Sequence, residues 1–158
     1  MRILLSIALL SFSFLGIAQQ NIQGFWHDSP HIGSGFGEYY AFYSNMNFIY
    51  STNSMDCDQR LESYSGMYSI EGDSISLYIK EFEIIIGGAI EEDVTSCYNG
   101  FYINNGEHIS IEAKKDYKKK YKIEFSIYNE EDIALPLVII DGKTFYRLSS
   151  DPSNYIDE

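Results

Sequence analysis

A chain of 158 residues with 45% hydrophobic, 22% charged and 16% aromatic side chains is one domain's worth of polymer. It holds enough apolar material for a core, which argues against intrinsic disorder. Its formal net charge of -12, from 23 acidic against 11 basic side chains, argues against nucleic acid or an anionic membrane as main partner, because phosphate binding requires clustered Lys and Arg.

Met1-Arg2 opens the chain with positive charge, Ile3 to Ala18 is uncharged, and Gly16-Ile17-Ala18 ends the run with the small residues that precede a signal-peptide cut. A signal peptide is predicted over residues 1–18, with the mature chain starting at Gln19. The apolar run is about 16 residues, short of the roughly 20 a span requires, and polar Gln19-Gln20-Asn21 follows without a basic flank. A secreted or periplasmic protein is expected, with no membrane span in the mature chain. No Cys stands near the cut for lipid attachment.

Residues 19–150 read as one domain, followed by an acidic C-terminal tail over 151–158. The domain's hydrophobic pattern has a period of two: Ile75, Leu77 and Ile79 alternate with polar neighbours, and so do Ile109, Ile111 and Ala113, then Tyr121, Ile123, Phe125 and Ile127. Candidate strands fall near 22–28, 37–43, 47–52, 60–70, 74–80, 82–87, 96–103, 107–114, 120–128, 135–140 and 143–149. Between them stand turn-forming groups: Ser44-Asn45, Glu71-Gly72-Asp73, Gly87-Gly88, Asn104-Asn105-Gly106 and Asp141-Gly142. Asp141-Gly142 is the strongest hairpin signal, since Asp-Gly readily takes the positive φ angles of a tight turn. So many short strands must close on themselves to hide their edges, so an all-β fold is expected, a single antiparallel barrel of about 8–10 strands.

Cys57 and Cys97 are the only two cysteines, and export would place them in an oxidising compartment. They are expected to pair. A closed loop of 40 residues corresponds to roughly 4 kcal/mol in the chain-entropy account.

The segment from His27 to Glu38 concentrates His27, Asp28, Ser29, His31, Ser34 and three glycines after the first strand. One reading is a metal-dependent or serine hydrolase using this loop. The plain alternative is a rim loop whose glycines permit unusual φ angles. Gly33-Ser34-Gly35-Phe36-Gly37 lacks the Lys-Ser/Thr ending of a phosphate loop. Acidic clusters at Asp56-Cys57-Asp58, Glu91-Glu92-Asp93 and Glu130-Glu131-Asp132 lack calcium-hand spacing and read as solvated turns. The lysines between Lys114 and Lys122 read as an exposed hairpin tip. No catalytic residue, metal or cofactor is assigned.

The richest feature is aromatic. Of 14 Tyr, 10 Phe and one Trp, all but Phe12 and Phe14 lie beyond the leader, with a crowd at Tyr39, Tyr40, Phe42, Tyr43, Phe48 and Tyr50. Successive strand residues point to opposite faces, so some rings fill the interior and others offer flat contact area. Trp26, Tyr40, Phe42 and Tyr50 are the candidate ligand-binding residues.

The opening Ile22-Gln23-Gly24-Phe25-Trp26, with Tyr40-Ala41-Phe42 and the run from Tyr64-Ser65-Gly66 to Ile75-Ser76-Leu77, resembles the lipocalin-like small barrels of bacterial exported proteins. In those, Gly-x-Trp opens the first strand and a Gly-x-Tyr hairpin follows. The resemblance implies a lipocalin-like fold. The function expected is non-enzymatic binding of a small apolar or amphipathic molecule, or of an envelope protein; the rivals are the hydrolase above and a structural envelope component.

Overall fold

The computed structural model describes residues 21–31, 37–92, 97–115, 117–130 and 133–156. The leader expected over residues 1–18 lies outside them. The period-two pattern becomes nine strands: β1 (Gly24–His27), β2 (Tyr39–Phe42), β3 (Asn47–Ser51), β4 (Leu61–Glu71), β5 (Ser74–Glu92), β6 (Phe101–Glu112), β7 (Lys118–Glu130), β8 (Ile133–Ile140) and β9 (Lys143–Ser149). All pairings are antiparallel, in the order β4-β3-β2-β1-β9-β8-β7-β5-β6, and β4 pairs back onto β5. The sheet therefore closes in a ring.

Around that ring each strand lies beside its neighbour in sequence, because β6 and β7 share one edge of β5. Residues Glu81–Glu92 of β5 pair with β6, and Ser74–Tyr78 pair with β7. The short break between β6 and β7 stays in line, since Ala113 N–H donates to the Lys80 carbonyl (2.7 Å) and Ile79 N–H to that of Tyr117 (3.0 Å). Beyond Ile84, where β4 ends its pairing, β5 and β6 continue as a two-stranded arm.

The arm corrects three expectations. Glu81 does not break the strand, so 74–80 and 82–87 are one element. Gly87-Gly88 and Asn104-Asn105-Gly106 are not turns. They face each other inside the arm, Gly87 opposite Gly106 and Ala89 opposite Asn104, which leaves Gly88 and Asn105 unpaired. Both have positive φ, 66° and 56°. A bulge and a turn require the same left-handed backbone, so the same residue types mark either. Asp141 and Gly142, with φ of 54° and 77°, do form the tight turn joining β8 to β9.

Inward-facing residues build the core. Trp26 stands at its centre, and its indole N–H donates to the Ile22 carbonyl (2.5 Å). Ile22 is itself buried and belongs to the same core cluster as Phe42, Phe48 and Tyr68. On the outside, Asp151 accepts the Ser153 N–H to cap a 3-10 turn at Pro152–Asn154, and Tyr155 stacks on Phe25 at 4.7 Å. The described part of the predicted tail thus packs against β1. No helix among the described residues is long and apolar enough to cross a membrane.

Cys57 and Cys97 form a disulfide with a Cα separation of 5.7 Å, as their pairing predicts. It ties the loop after β3 to the segment entering β6. Tyr98 N–H donates to the Met55 carbonyl (2.9 Å), Ile103 N–H to that of Cys57 (3.1 Å), and Arg60 reaches the carbonyls of Ile85 and Gly87. The double variant Cys57→Ser/Cys97→Ser is expected to lose about 2–4 kcal/mol of stability in urea unfolding followed by Trp26 fluorescence. The amides of Tyr98 and Ile103 should lose hydrogen-exchange protection before those of the ring.

Candidate ligand site

At the end of the ring opposite Ile22, the interior is not filled. Parity places Tyr40 of β2, Tyr50 of β3, Tyr64 of β4 and Tyr121 of β7 on the inner face, one layer above Phe42, Phe48 and Ile123. They line a cavity of about 330 Å³, walled further by Leu61, Ile140 and Phe145. That volume lies at the lower end of the range for small-molecule sites. Larger hollows of about 470 and 440 Å³ also occur, but they lie over outward-facing residues such as Tyr78 and Lys80, or Ile49 and Ser65.

The tyrosines form a continuous aromatic surface. Tyr40 and Tyr50 lie 4.8 Å apart by ring centroid and Tyr50 and Tyr64 4.6 Å, while Tyr40 stacks on Phe42 beneath it at 5.4 Å. The Tyr40 and Tyr64 hydroxyls are 3.2 Å apart and share one hydrogen bond. Burial pushes the Tyr40 phenol far above its ordinary range, and the Tyr64 neighbour adds to this. Burial also raises Tyr64, against an opposing contribution from the Tyr40 hydrogen bond. Tyr50 is raised by burial first and then by its hydrogen bond to Glu38. All three remain neutral phenols at physiological pH.

Four charged residues, Glu38, Lys119, Asp141 and Lys143, complete the mouth. The Tyr50 hydroxyl donates to Glu38 Oε2 (2.8 Å), and Lys143 Nζ reaches Glu38 Oε1 (2.8 Å) and Asp28 Oδ2 (3.5 Å). Lys119 differs. Its Nζ stands 4.8 Å over the Tyr64 ring, and it has no carboxylate partner among the described residues.

Of the residues expected to bind ligand, Tyr40 and Tyr50 line this cavity. Trp26 and Phe42, 1% and 0% exposed, lie in the packed core below and support the mouth without lining it. The loop after β1 divides its groups. His27 is buried, its Nδ1 accepts the Ser29 N–H (3.0 Å), and its Nε2 has no partner among the described residues. Gly37, with φ of 133°, covers this ring at a distance that leaves no room for a Cβ. His31 is exposed and pairs with Glu130 at 3.4 Å. Ser29 Oγ donates to the His31 carbonyl (3.1 Å) and not to an imidazole. Among the described residues, no three potential ligands converge on a metal position, and Ser34 lies outside them. Asp56 and Asp58 serve as loop ties, accepting hydrogen bonds from Gln59 and Asn99.

No family model, curated protein or solved structure matches the chain. The site's chemistry must therefore be judged from its own residues. Among its polar residues, Tyr64, Tyr121, Lys119, Asp141 and Lys143 escaped sequence reasoning. The signal for Lys119 was present, because the alternation of Phe125, Ile123 and Tyr121 extends back to it; Lys118, Lys120 and Lys122 take the outward parity. The basic run thus contributes one cation to the interior.

Proposed function

We propose that the chain is an exported, non-enzymatic binding protein of lipocalin-like architecture that holds a small amphipathic molecule in the mouth of its strand ring. One observation carries this reading: four tyrosines and a small number of charged groups converge on a cavity above a tightly packed aromatic floor. Such a combination of flat apolar walls with few polar groups suits a ligand with an apolar body and a polar end. The up-and-down order of the ring and the mouth at one end support the lipocalin-like resemblance. Export is supported by the leader pattern of residues 1–18 and by the disulfide, a bond that persists in oxidising compartments.

Titration with phenylnaphthylamine, an uncharged amphipathic fluorophore, tests this reading. One probe per chain is expected, and Tyr50→Ala should weaken binding about tenfold by removing a platform and freeing Glu38. Absence of saturable binding, or an affinity indifferent to Tyr50→Ala, would overturn it. Native mass spectrometry of protein taken from its own host should reveal a retained small molecule.

A further inference from the structure

The polar groups of the mouth are unevenly committed. Both oxygens of Glu38 are occupied, one by the Tyr50 hydroxyl and the other by Lys143. Donors remain in surplus. The Tyr40 and Tyr64 hydroxyls have two protons between them and share one bond, and the Tyr121 hydroxyl, which also lines the cavity, makes no hydrogen bond among the described residues. Lys119 is half-buried and holds three N–H groups with only the Tyr64 ring for company.

Spare phenol donors and an ammonium without a carboxylate partner can engage a ligand that brings acceptors. A cationic ligand fits poorly. It would have to displace Lys119 from the Tyr64 face and compete with Lys143 for Glu38. Asp141 lines the cavity from the exposed β8–β9 turn, near enough that its charge adds to burial in raising the Tyr121 phenol, and no ion pair joins it to Lys119 among the described residues. A partly desolvated ammonium beside aromatic walls binds an anion more strongly than one in open water, because charge-assisted bonds strengthen as solvent is removed.

We infer that the mouth is selective for a small organic acid, with the acid's anionic group on Lys119 and its apolar body over the rings of Tyr50, Tyr64 and Tyr121. This rests on the binding reading above and names the ligand class for the same cavity. The net charge of -12 does not oppose it at contact range, since exposed charges are screened beyond about 8–10 Å at ordinary ionic strength. That charge instead slows the approach of an anion.

The test compares phenylnaphthylamine with anilinonaphthalene sulfonate, which differs from it by one sulfonate group, on the full mature chain. The sulfonate is expected to bind at least about tenfold more tightly. Lys119→Met keeps the apolar stem, and it should bring the two probes to within about twofold of each other. Lys119→Arg should retain the preference. Lys120→Met, on the outward parity opposite Ser76, should change neither. Each variant's urea midpoint establishes that it is folded. Equal affinity for the two probes in the wild type, or a preference surviving Lys119→Met, would overturn the acid site while leaving the binding reading standing. Failure of both probes to bind would defeat both.

Discussion

Trp26→Ala is expected to lower the folding free energy by about 3–5 kcal/mol, the range for emptying a large aromatic site in a packed core. Trp26 is 1% exposed, with Ile22 hydrogen-bonded to its indole, Phe125 at 6.2 Å and the Arg147 guanidinium 5.6 Å over its ring. Strand pairing on both edges of β1 restricts how far the site can collapse. The Ile22 carbonyl also loses its indole donor. Against a typical total of about 5–15 kcal/mol, the variant retains little margin. Trp26→Phe should recover most of the packing and leave chiefly the hydrogen-bond loss, about 1–3 kcal/mol for a buried acceptor without its partner. Far-UV circular dichroism against urea provides the readout, since the intrinsic fluorophore is removed. An unchanged slope with a lowered midpoint is expected. Because Trp26 lies below the cavity, folded Trp26→Phe should bind phenylnaphthylamine as the wild type does. A Trp26→Ala loss under about 1 kcal/mol would mean that the ring's interior is loosely packed.

Stability is also expected to collapse in alkali through the buried tyrosines. In the unfolded chain a phenol ionises near its ordinary value of 10.0, whereas burial raises Tyr40 and Tyr64 well above it in the folded protein. A raised folded value means that the folded state holds its protons when the unfolded state has released them. The contribution is therefore complete below about pH 10 and is lost as pH rises beyond it. With two such phenols the decline approaches about 3 kcal/mol per pH unit, and half-exposed Tyr50 adds a smaller amount. Urea midpoints should be level from about pH 7 to 9 and then fall steeply. Tyr78 supplies an internal contrast: it is exposed, and hydrogen bonding with Ser69, then Lys118, lowers its value, so its tyrosinate absorbance should precede unfolding. Tyr40→Phe/Tyr64→Phe should flatten the alkaline slope. A wild type whose midpoint stays level far above pH 10 would contradict the burial of these two rings.

Much of the fold could be read from strand alternation, and the reasons are local. Ile75-Leu77-Ile79 and Tyr121-Ile123-Phe125 face inward because a period of two turns every second side chain the same way, and Asp141-Gly142 turns because its φ angles demand it. The arm was illegible for an equally physical reason. Gly87-Gly88 and Asn104-Asn105-Gly106 mark left-handed backbone, and only the pairing partner decides whether that backbone reverses the chain or bulges within it. The site was partly legible. Tyr40 and Tyr50 carry the aromatic signal, whereas Trp26 and Phe42 share that signal but occupy the layer below, a distinction of depth along the ring axis that composition does not encode. Lys119 and Lys143 were hidden because charged residues are ordinarily assigned to solvent, and the closed ring exempts only those at its open end.

We propose that ligand enters the mouth of the ring. Nuclear magnetic resonance of the phenylnaphthylamine complex tests it most directly. Nuclear Overhauser contacts are expected from the probe to the rings of Tyr50, Tyr64 and Tyr121, with Trp26 silent. Contacts to Ile49 and Ser65 on the outer surface, or to Ile86 and Ile90 on the arm, with none to those tyrosines, would contradict it.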